Sequence, residues 1–266
     1  MTHKKTRSSP LCQVSTPLLT TPKKKCQNRG RHRRPEKIYT FDEADNRIYD
    51  IFCHHGFENY SHHLRQQLTH FYQILMNHQR KDNVTRLLTL REVAIKHFID
   101  SLMVTRLVKL QFPLMDMGTG PGFPGIPLKI HYQKQPIVLL EGTKRRVQFL
   151  KQVREELNLE ELSIIGRYVN TEFVYPITAI ITRALANISD TLLNVSQCLQ
   201  IGGLVYFMKG PNVDQEIKMA HRKWKKYYQL EEDIAYKLPA TPHQRRLVIY
   251  RKTMHWQDKH WKKEIR

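Results

Sequence analysis

The sequence predicts an α/β fold with a mostly parallel sheet, and three observations lead to that prediction. Strand and helix signals alternate from residue 111 onward, which is the pattern of parallel βαβ units. An apolar run at 112–117 leads into a glycine-rich loop and then into a helix-like stretch. A second apolar run at 137–140 ends at the acidic Glu141, and open α/β sheets bind ligands at the carboxyl ends of their strands.

The composition fits a globular chain with two basic ends. Its 266 residues are 40% hydrophobic, enough for one large domain, alone or with a small one. The net charge of +20 is uneven, since residues 1–37 carry +10, residues 221–266 carry +8, and residues 38–220 carry only +2. Such blocks favour a nucleic-acid partner, because phosphate contacts release counterions. A merely basic surface without a specific partner is the alternative.

The cysteine pattern indicates in which cellular compartment the protein is located. The four cysteines, Cys12, Cys26, Cys53 and Cys198, have no metal-ligand spacing and do not look like a disulfide framework. We therefore expect a reducing, cytoplasmic location and no metal site. No apolar run approaches the roughly 18–20 residues of a transmembrane helix, so no membrane partner is expected. The basic, Ser/Thr-rich stretch 1–35 also resembles an organelle transit peptide, and that alternative stays open.

The region before residue 111 is predicted to be helical, after a basic tail. Apolar residues recur at helical spacing in three segments that begin near Phe41, Ser61 and Leu90. These helices would form a small cap on the main domain. The predicted domains are a disordered basic tail at 1–37, a helical cap at 38–110, the main α/β domain at 111–254, and a basic C-terminal tail at 255–266.

The glycine-rich loop is the most informative motif. It reads G-x-G-x-G over Gly118, Gly120 and Gly122, with Asp116 two residues earlier. A dinucleotide fingerprint places glycines at its first, third and sixth positions, but the sixth position here is Phe123. The pattern resembles the first motif of S-adenosyl-L-methionine (SAM) methyltransferases, in which the glycines expose backbone N–H groups to the ligand. An ordinary glycine-rich turn is the alternative.

The elements after this loop complete a sheet of seven strands. They are a strand at 137–140, a helix from Thr143, strands at 162–165 and 179–181, a helix from Ser189 or Asp190 to about Leu199, a strand at 204–208, a helix at about 212–226, and strands near 229–237 and 246–251. Gly202 and Gly203 are expected to break the helix before the fifth strand. A class I methyltransferase sheet has this number of strands.

Charged residues follow several of the strands. Glu141 lies 25 residues beyond Asp116, and an acid at this point can accept both hydroxyls of a ribose. Together with the glycine loop it predicts a cofactor contact rather than a simple helix cap. Arg167, Arg183 and Lys209 follow the next three strands. They predict a crevice for an anionic substrate or for the SAM carboxylate, with salt bridges or solvated loops as the alternative.

Several motifs identify a family. They are Asn83-Val84-Thr85, Lys96–Ser101, Asp116–Pro127, Leu139-Leu140-Glu141, Lys144–Leu150, Thr182-Arg183-Ala184, Met208-Lys209-Gly210 and Arg246-Leu247-Val248. On these motifs, from about Asn83 to Arg251, the chain resembles the RsmG or GidB family of bacterial ribosomal RNA methyltransferases. The resemblance implies a class I, Rossmann-like, SAM-dependent enzyme that methylates guanine N7 in 16S rRNA.

The resemblance also implies the site residues. Gly118 and Phe123 would line the SAM pocket, Arg183 would lie at it, and the segment at Tyr168 and Val169 would touch the cofactor. The full cofactor-binding set is Asp116, Gly118, Gly120, Gly122, Phe123, Glu141, Tyr168, Val169 and Arg183, and the substrate-binding set is Asn83, Arg145, Arg146 and Lys209.

Two positions depart from the family pattern. The family usually has aspartate where this chain has Glu141, although glutamate can still hold a ribose. The segment Tyr168-Val169-Asn170 lacks the acid expected there, which would alter a contact to the adenine.

Methylation at guanine N7 requires no general base, because N7 has a free lone pair. We therefore predict no catalytic residue beyond those that align N7, the methyl carbon and the sulfur. The expected partner is 16S rRNA or the 30S subunit, and the enzyme is expected to be a monomer. The alternatives are a SAM enzyme of this fold that acts on another RNA or a small molecule, and a degenerate RNA-binding protein without a cofactor.

Overall fold

The computed structural model describes residues 33–256. The predictions for the basic tails therefore lie outside the described residues, except at 33–37 and at His255 and Trp256. Cys12 and Cys26 also lie outside them.

In the described part of the chain, four α-helices precede the sheet. They are α1 (Phe41–His54), α2 (His62–Gln79), α3 (Leu90–Val93) and α4 (Asp100–Leu107), and a π-helical stretch, Ala94–Ile99, joins α3 to α4. The Thr40 side chain caps α1 by accepting from the Glu43 N–H, and Thr89 caps α3 by accepting from the Glu92 N–H. The predicted helix starts near Phe41, Ser61 and Leu90 agree with these bounds.

Within residues 33–256, seven strands alternate with four further helices. In chain order they are β1 (Leu114–Met117), α5 (Gly125–His131), β2 (Ile137–Leu140), α6 (Lys144–Glu156), β3 (Leu162–Ile165), β4 (Ile177–Arg183), α7 (Ile188–Asn194), β5 (Leu199–Lys209), α8 (Asp214–Trp224), β6 (Tyr228–Lys237) and β7 (Gln244–Lys252).

The strands form one sheet in the order β3-β2-β1-β4-β5-β7-β6. The first five are parallel, and β7 runs antiparallel to β5 and β6. This is the predicted class I methyltransferase sheet. The chain order reverses between β1 and β4, and ligands bind α/β sheets at such switch points.

The segment between α7 and β5 differs from the prediction. The helix ends at Asn194 rather than near Leu199, and β5 begins at Leu199 and continues through Gly202 and Gly203. The pairing register of β4 with β5 shifts at this point. Gly202 has a φ of 81°, the left-handed conformation that glycine adopts at bulges. The two glycines therefore interrupt a strand ladder, not a helix.

Helices cover both faces of the sheet. Successive side chains of β1 point to opposite faces, so that Leu114 joins the apolar core with α1 to α6, whereas Met115 joins the core with α7 and α8. The N-terminal helices thus share one core with α5 and α6. The boundary predicted at residue 110 stays a prediction.

Two further findings concern the part of the chain that the structure describes. Its helices are too short or too polar to cross a membrane. It also contains no cluster of three or more His, Cys, Asp or Glu side chains arranged to hold a metal ion.

Candidate active site

The loop after β1 is held in place by hydrogen bonds to residues of β1 and β2. Asp116 is fully buried, and its Oδ2 accepts the Gly125 N–H at 2.7 Å. The Gly118 N–H donates to the Leu140 carbonyl at 2.9 Å. Gly118 has a φ of 72°, and a Cβ at Gly120 would meet no atom within 4 Å. Hydrogen bonds thus hold both ends of the loop, and the space beside Gly120 is open.

Burial raises the pKa of Asp116 to about 6, although the Thr119 side chain and the Gly125 N–H act in the opposite direction. Asp116 was predicted to bind the cofactor. The structure places it under the loop, where it ties the first turn of α5 to β1.

Glu141 reaches from the end of β2 to the glycine loop. Its Oε2 accepts the Gly120 N–H at 3.1 Å, and its Oε1 accepts the Thr143 N–H at 2.8 Å. The Arg146 Nη1 lies 3.7 Å from Oε2. Because each carboxylate oxygen has two lone pairs, Glu141 retains the capacity to accept two further hydrogen bonds.

A cavity of about 460 Å³, here called the glycine-loop cavity, opens beside this carboxylate. Its lining consists of Met117, Gly118, Leu140, Glu141, Gly142, Thr143, Arg146, Arg167, Tyr168, Val169, Ala184, Leu185, Ala186, Thr191 and Asn194. Leu185 covers Gly118, where an added Cβ would lie 2.5 Å from the Leu185 Cδ1. The Tyr168 ring covers Gly142 in the same way, at 2.3 Å. The cavity combines an acceptor carboxylate with apolar and aromatic surface.

A second cavity of about 480 Å³, here called the Arg183 cavity, lies on the other side of the segment that follows β4. Its charged lining residues are Arg86, Lys96, Asp100, Arg183, Lys209 and Arg245. Five of these six are cations. Ala184 lines both cavities, so the two share a wall at the end of β4.

Three groups immobilise the Arg183 guanidinium. Its Nη1 donates to the Lys96 carbonyl at 3.0 Å and to the Asp100 Oδ2 at 3.1 Å. Its Nη2 lies 2.9 Å from the His97 Nδ1. Since a guanidinium can only donate, His97 accepts and is neutral in this contact. Burial, followed by the charge of Arg183, holds the pKa of His97 well below its ordinary value.

The His97 ring also stacks on Phe123, with ring centroids 3.9 Å apart. Phe123 is 3% exposed and contacts Phe71 and Phe98. Its side chain lies in the core between the loop and the helices, and its predicted place at the SAM pocket stays a prediction. His97 belongs to the π-helical stretch, and such stretches frequently occur at functional sites.

Asp100 connects three elements at the Arg183 cavity. It is 2% exposed, and its Oδ1 accepts the Arg245 Nε at 3.2 Å while its Oδ2 accepts from Arg183. This links α4, β4 and β7. Lys209 is held separately, with its Nζ 2.8 Å from the Glu216 Oε2.

The structure divides the predicted site between the two cavities. The glycine-loop cavity is lined by Gly118, Glu141, Arg146, Tyr168 and Val169, and the Arg183 cavity by Arg183 and Lys209. Arg167, Arg183 and Lys209 were expected around one crevice. They face two instead, because the segment 184–186 separates Arg167 from the other pair.

Six predicted residues line neither cavity: besides Asp116, Gly120 and Phe123, they are Gly122, Asn83 and Arg145. Gly122 packs into the core, where a Cβ would lie 2.5 Å from an Ile126 side-chain carbon. Asn83 is exposed, and its Oδ1 accepts from the Gln79 amide at 3.0 Å. Arg145 pairs with Asp82 at 2.6 Å. For these residues the assigned roles stay predictions.

Sequence reasoning missed His97, Asp100 and Arg245 as site residues. His97 and Asp100 lie in the Lys96–Ser101 motif, so the family resemblance carried a signal for both. Arg245 had no such signal, because its contact with Asp100 depends on tertiary packing, whereas the adjacent Arg246 pairs with Asp214 and Asp233.

Comparisons with known proteins identify the family of this chain. The family model described as rRNA small subunit methyltransferase G matches residues 64–248. Ribosomal RNA small subunit methyltransferase G 2 of Bdellovibrio bacteriovorus is 59% identical over 223 residues, which are 84% of this chain and 88% of that protein. The protein of the same name from Syntrophobacter fumaroxidans is 40% identical over 186 residues, 70% of this chain but 37% of that protein.

A more distant match is the crystal structure of P. horikoshii TYW2 in complex with MeSAdo. It is 14% identical with a TM-score of 0.47, and the match covers 58% of this chain and 62% of that one. The family model alone matches well over half of the sequence. The chain belongs to the family of rRNA small subunit methyltransferase G.

Proposed function

We propose that this chain transfers the methyl group of SAM to N7 of a guanine in 16S rRNA. The observation that carries this proposal is the pair of cavities that share a wall at Ala184. One offers a glycine loop and an acceptor carboxylate, and the other offers fixed cations. The names of the curated relatives support the same activity.

The residues of the glycine-loop cavity fit SAM. Glu141 has acceptor capacity for the ribose hydroxyls, and Gly118 belongs to the cavity lining. Tyr168 and Val169 offer apolar surface to the adenine. When bound, SAM supplies an electrophilic methyl group on a sulfonium centre.

The Arg183 cavity would hold the target guanine. Its N7 lone pair can form the new bond without prior loss of a proton, so the chain needs no general base. The contribution of the protein is alignment. Arg183 has five N–H donors and, among residues 33–256, uses them in three hydrogen bonds, with Lys96, Asp100 and His97. Donors therefore remain for the guanine O6 or a phosphate.

RNA is the substrate class that this arrangement favours. The target base must lie in a single-stranded segment or leave its stack before it can enter the cavity, and the surrounding cations would hold the backbone phosphates. We propose 16S rRNA, free or within the 30S subunit, as the partner of a monomeric, cytoplasmic enzyme.

The test is transfer of tritiated methyl from SAM to 30S subunits and to free 16S rRNA, followed by mapping of the labelled base. We expect one N7-methylguanine. Label in another RNA only, or at another atom, would contradict the proposed target.

A second candidate function is RNA binding without catalysis. The missing acid in the Tyr168–Asn170 segment favours it, since a cofactor contact of the family is lost there. Calorimetry separates the two, because the enzyme should release or absorb heat on titration with SAM. Absence of binding at millimolar SAM would leave only the RNA-binding candidate.

A further inference from the structure

A third cavity, of about 590 Å³, lies between the segment 33–37, α1 and the residues around α3. We call it the N-terminal groove. Six cations and three acids line it. The cations are Arg33, Arg34, Lys37, Arg47, Arg86 and Arg91. The groove is outside the two cavities described above, except that Arg86 lines both this groove and the Arg183 cavity.

Most of these cations have no anionic partner. Within residues 33–256, the side chains of Arg33, Arg34, Arg86 and Arg91 form no ion pair. Like charges that share a groove repel one another and attract an anion. The set therefore fits a polyanion better than solvent alone.

The walls of the groove are fixed by a buried amide. The Gln79 side chain is fully buried, and its Nε2 donates to the Arg33 carbonyl at 2.8 Å. Its Oε1 accepts the N–H groups of Val84 and Thr85 at 2.8 and 3.0 Å. One side chain thus ties the start of the groove to the turn that leads into Arg86.

We propose that the N-terminal groove binds phosphates of the RNA strand that flanks the target guanine, with Arg86 at the junction. This inference rests on the proposed function. RNA is favoured as the occupant because the groove meets the Arg183 cavity at Arg86, and because residues 1–32, which lead into it, contain eight basic residues and no acid.

The test compares two full-length variants that lose the same charge. The groove variant is Arg33→Gln, Arg34→Gln and Arg91→Gln. The control variant is Lys218→Gln, Arg222→Gln and Lys225→Gln, three exposed cations in and just after α8, which packs on the opposite face of the sheet. Arg86 is left intact because it also lines the Arg183 cavity. Thermal melting and SAM affinity should match wild type in both variants.

Binding to free 16S rRNA is then measured between 50 and 300 mM salt. The groove variant should reduce the magnitude of the slope of log K against log salt by about two, since each phosphate contact to a single strand contributes ~0.7. Its Kd near physiological salt should rise at least tenfold, while the control changes much less. An equal loss of RNA affinity in both variants would assign the effect to net charge and overturn the inference.

The remaining outcomes separate this inference from the proposed function. Weakened RNA binding by the groove variant, without methyl transfer by wild type, would support the groove and refute the proposed function. Methyl transfer with an unchanged slope and an unchanged KM for RNA in the groove variant would refute the groove alone. Loss of binding to polyglutamate with RNA binding intact would assign the groove to an acidic protein and overturn the inference.

Discussion

At the scale of single residues, Glu141 carries the most specific prediction about the cofactor. It accepts backbone N–H groups from Gly120 and Thr143 while facing the glycine-loop cavity. The same carboxylate thus shapes the loop and offers itself to a ligand. Either function depends on two acceptor oxygens.

We expect Glu141→Gln to weaken SAM binding about 10- to 100-fold, because the amide keeps only one acceptor oxygen and hydrogen bonds to a charged group contribute about 1.5–3 kcal/mol. Isothermal titration calorimetry measures the loss. Glu141→Asp is the matched control and should retain most of the affinity, since it keeps both oxygens. Equal affinity in wild type and Glu141→Gln would place the ribose elsewhere.

The neutral His97 and a reaction that needs no general base lead to a prediction about the pH dependence of methyl transfer. A guanine N7 needs no deprotonation, and His97 stays neutral because its pKa is held well below its ordinary value. The kcat for methyl transfer should therefore be flat between pH 7 and pH 9. Single-turnover assays across this range would reveal a titrating base as an ascending limb, and such a limb would contradict the mechanism.

At the scale of elements, β1, the glycine loop and α5 form one unit. Gly118 and Gly202 both have left-handed backbones, with φ of 72° and 81°, but their surroundings differ. A Cβ at Gly118 would meet Leu185 at 2.5 Å, whereas one at Gly202 would meet nothing within 4 Å. The two sites therefore separate backbone strain from obstruction of the cavity.

We expect Gly118→Ala and Gly202→Ala each to lose about 1–2 kcal/mol of stability, the cost of a side chain in the left-handed region. Only Gly118→Ala should also weaken SAM binding, because its Cβ pushes Leu185 toward the glycine-loop cavity. Chemical denaturation and calorimetry provide the two readouts. Normal SAM affinity in Gly118→Ala would refute the placement of the pocket.

The buried Asp116 carboxyl should make the stability of the folded protein depend on pH. Its pKa in the folded protein is about 6, above the value of about 3.9 for an unfolded chain. The folded state therefore binds the proton more tightly, and stability falls as pH rises from about 4 through 6. Between pH 4.5 and 7.5 the free energy of unfolding of wild type should fall by about 2 kcal/mol relative to Asp116→Asn. Denaturation of both proteins at several pH values measures this difference, and a constant difference would contradict it.

The spacing of apolar residues predicted the alternating strands and helices, because each element buries one face and its apolar residues recur at the period of a strand or of a helix. It failed at 195–203, where two glycines are compatible both with the end of a helix and with a bulge in a strand. It does not address the position of the Phe123 side chain, whose place at the SAM pocket stays a prediction. Its burial depends on packing against Phe71 and His97, which no local pattern records.

At the scale of the whole molecule, positive charge is concentrated at the two ends of the sequence and the middle is nearly neutral. The strand-end residues Glu141, Arg183 and Lys209 could be predicted to converge, since parallel strands end at one edge. Their division into two cavities could not, because it depends on the path of the segment 184–186. The N-terminal groove was equally hidden, as it needs Gln79 to join Arg33 to the turn before Arg86.

A prediction at this scale concerns the basic tail. Lys23→Gln, Lys24→Gln and Lys25→Gln in the full-length chain should weaken binding to 16S rRNA and lower its salt dependence, because clustered cations release counterions. SAM affinity should not change. Filter binding at two salt concentrations tests this, and an unchanged salt dependence would exclude these three lysines from the RNA contact.

The five cations of the Arg183 cavity have a consequence for the end of the reaction. Methylation turns the N7 lone pair into a bond and leaves the guanine with a positive charge. A site that attracted a neutral base on an anionic strand would then enclose a cation among arginines and lysines. Repulsion between like charges would favour departure of the modified base and disfavour its return, so the same side chains would help the enzyme to tell a finished ribosomal RNA from one still to be modified.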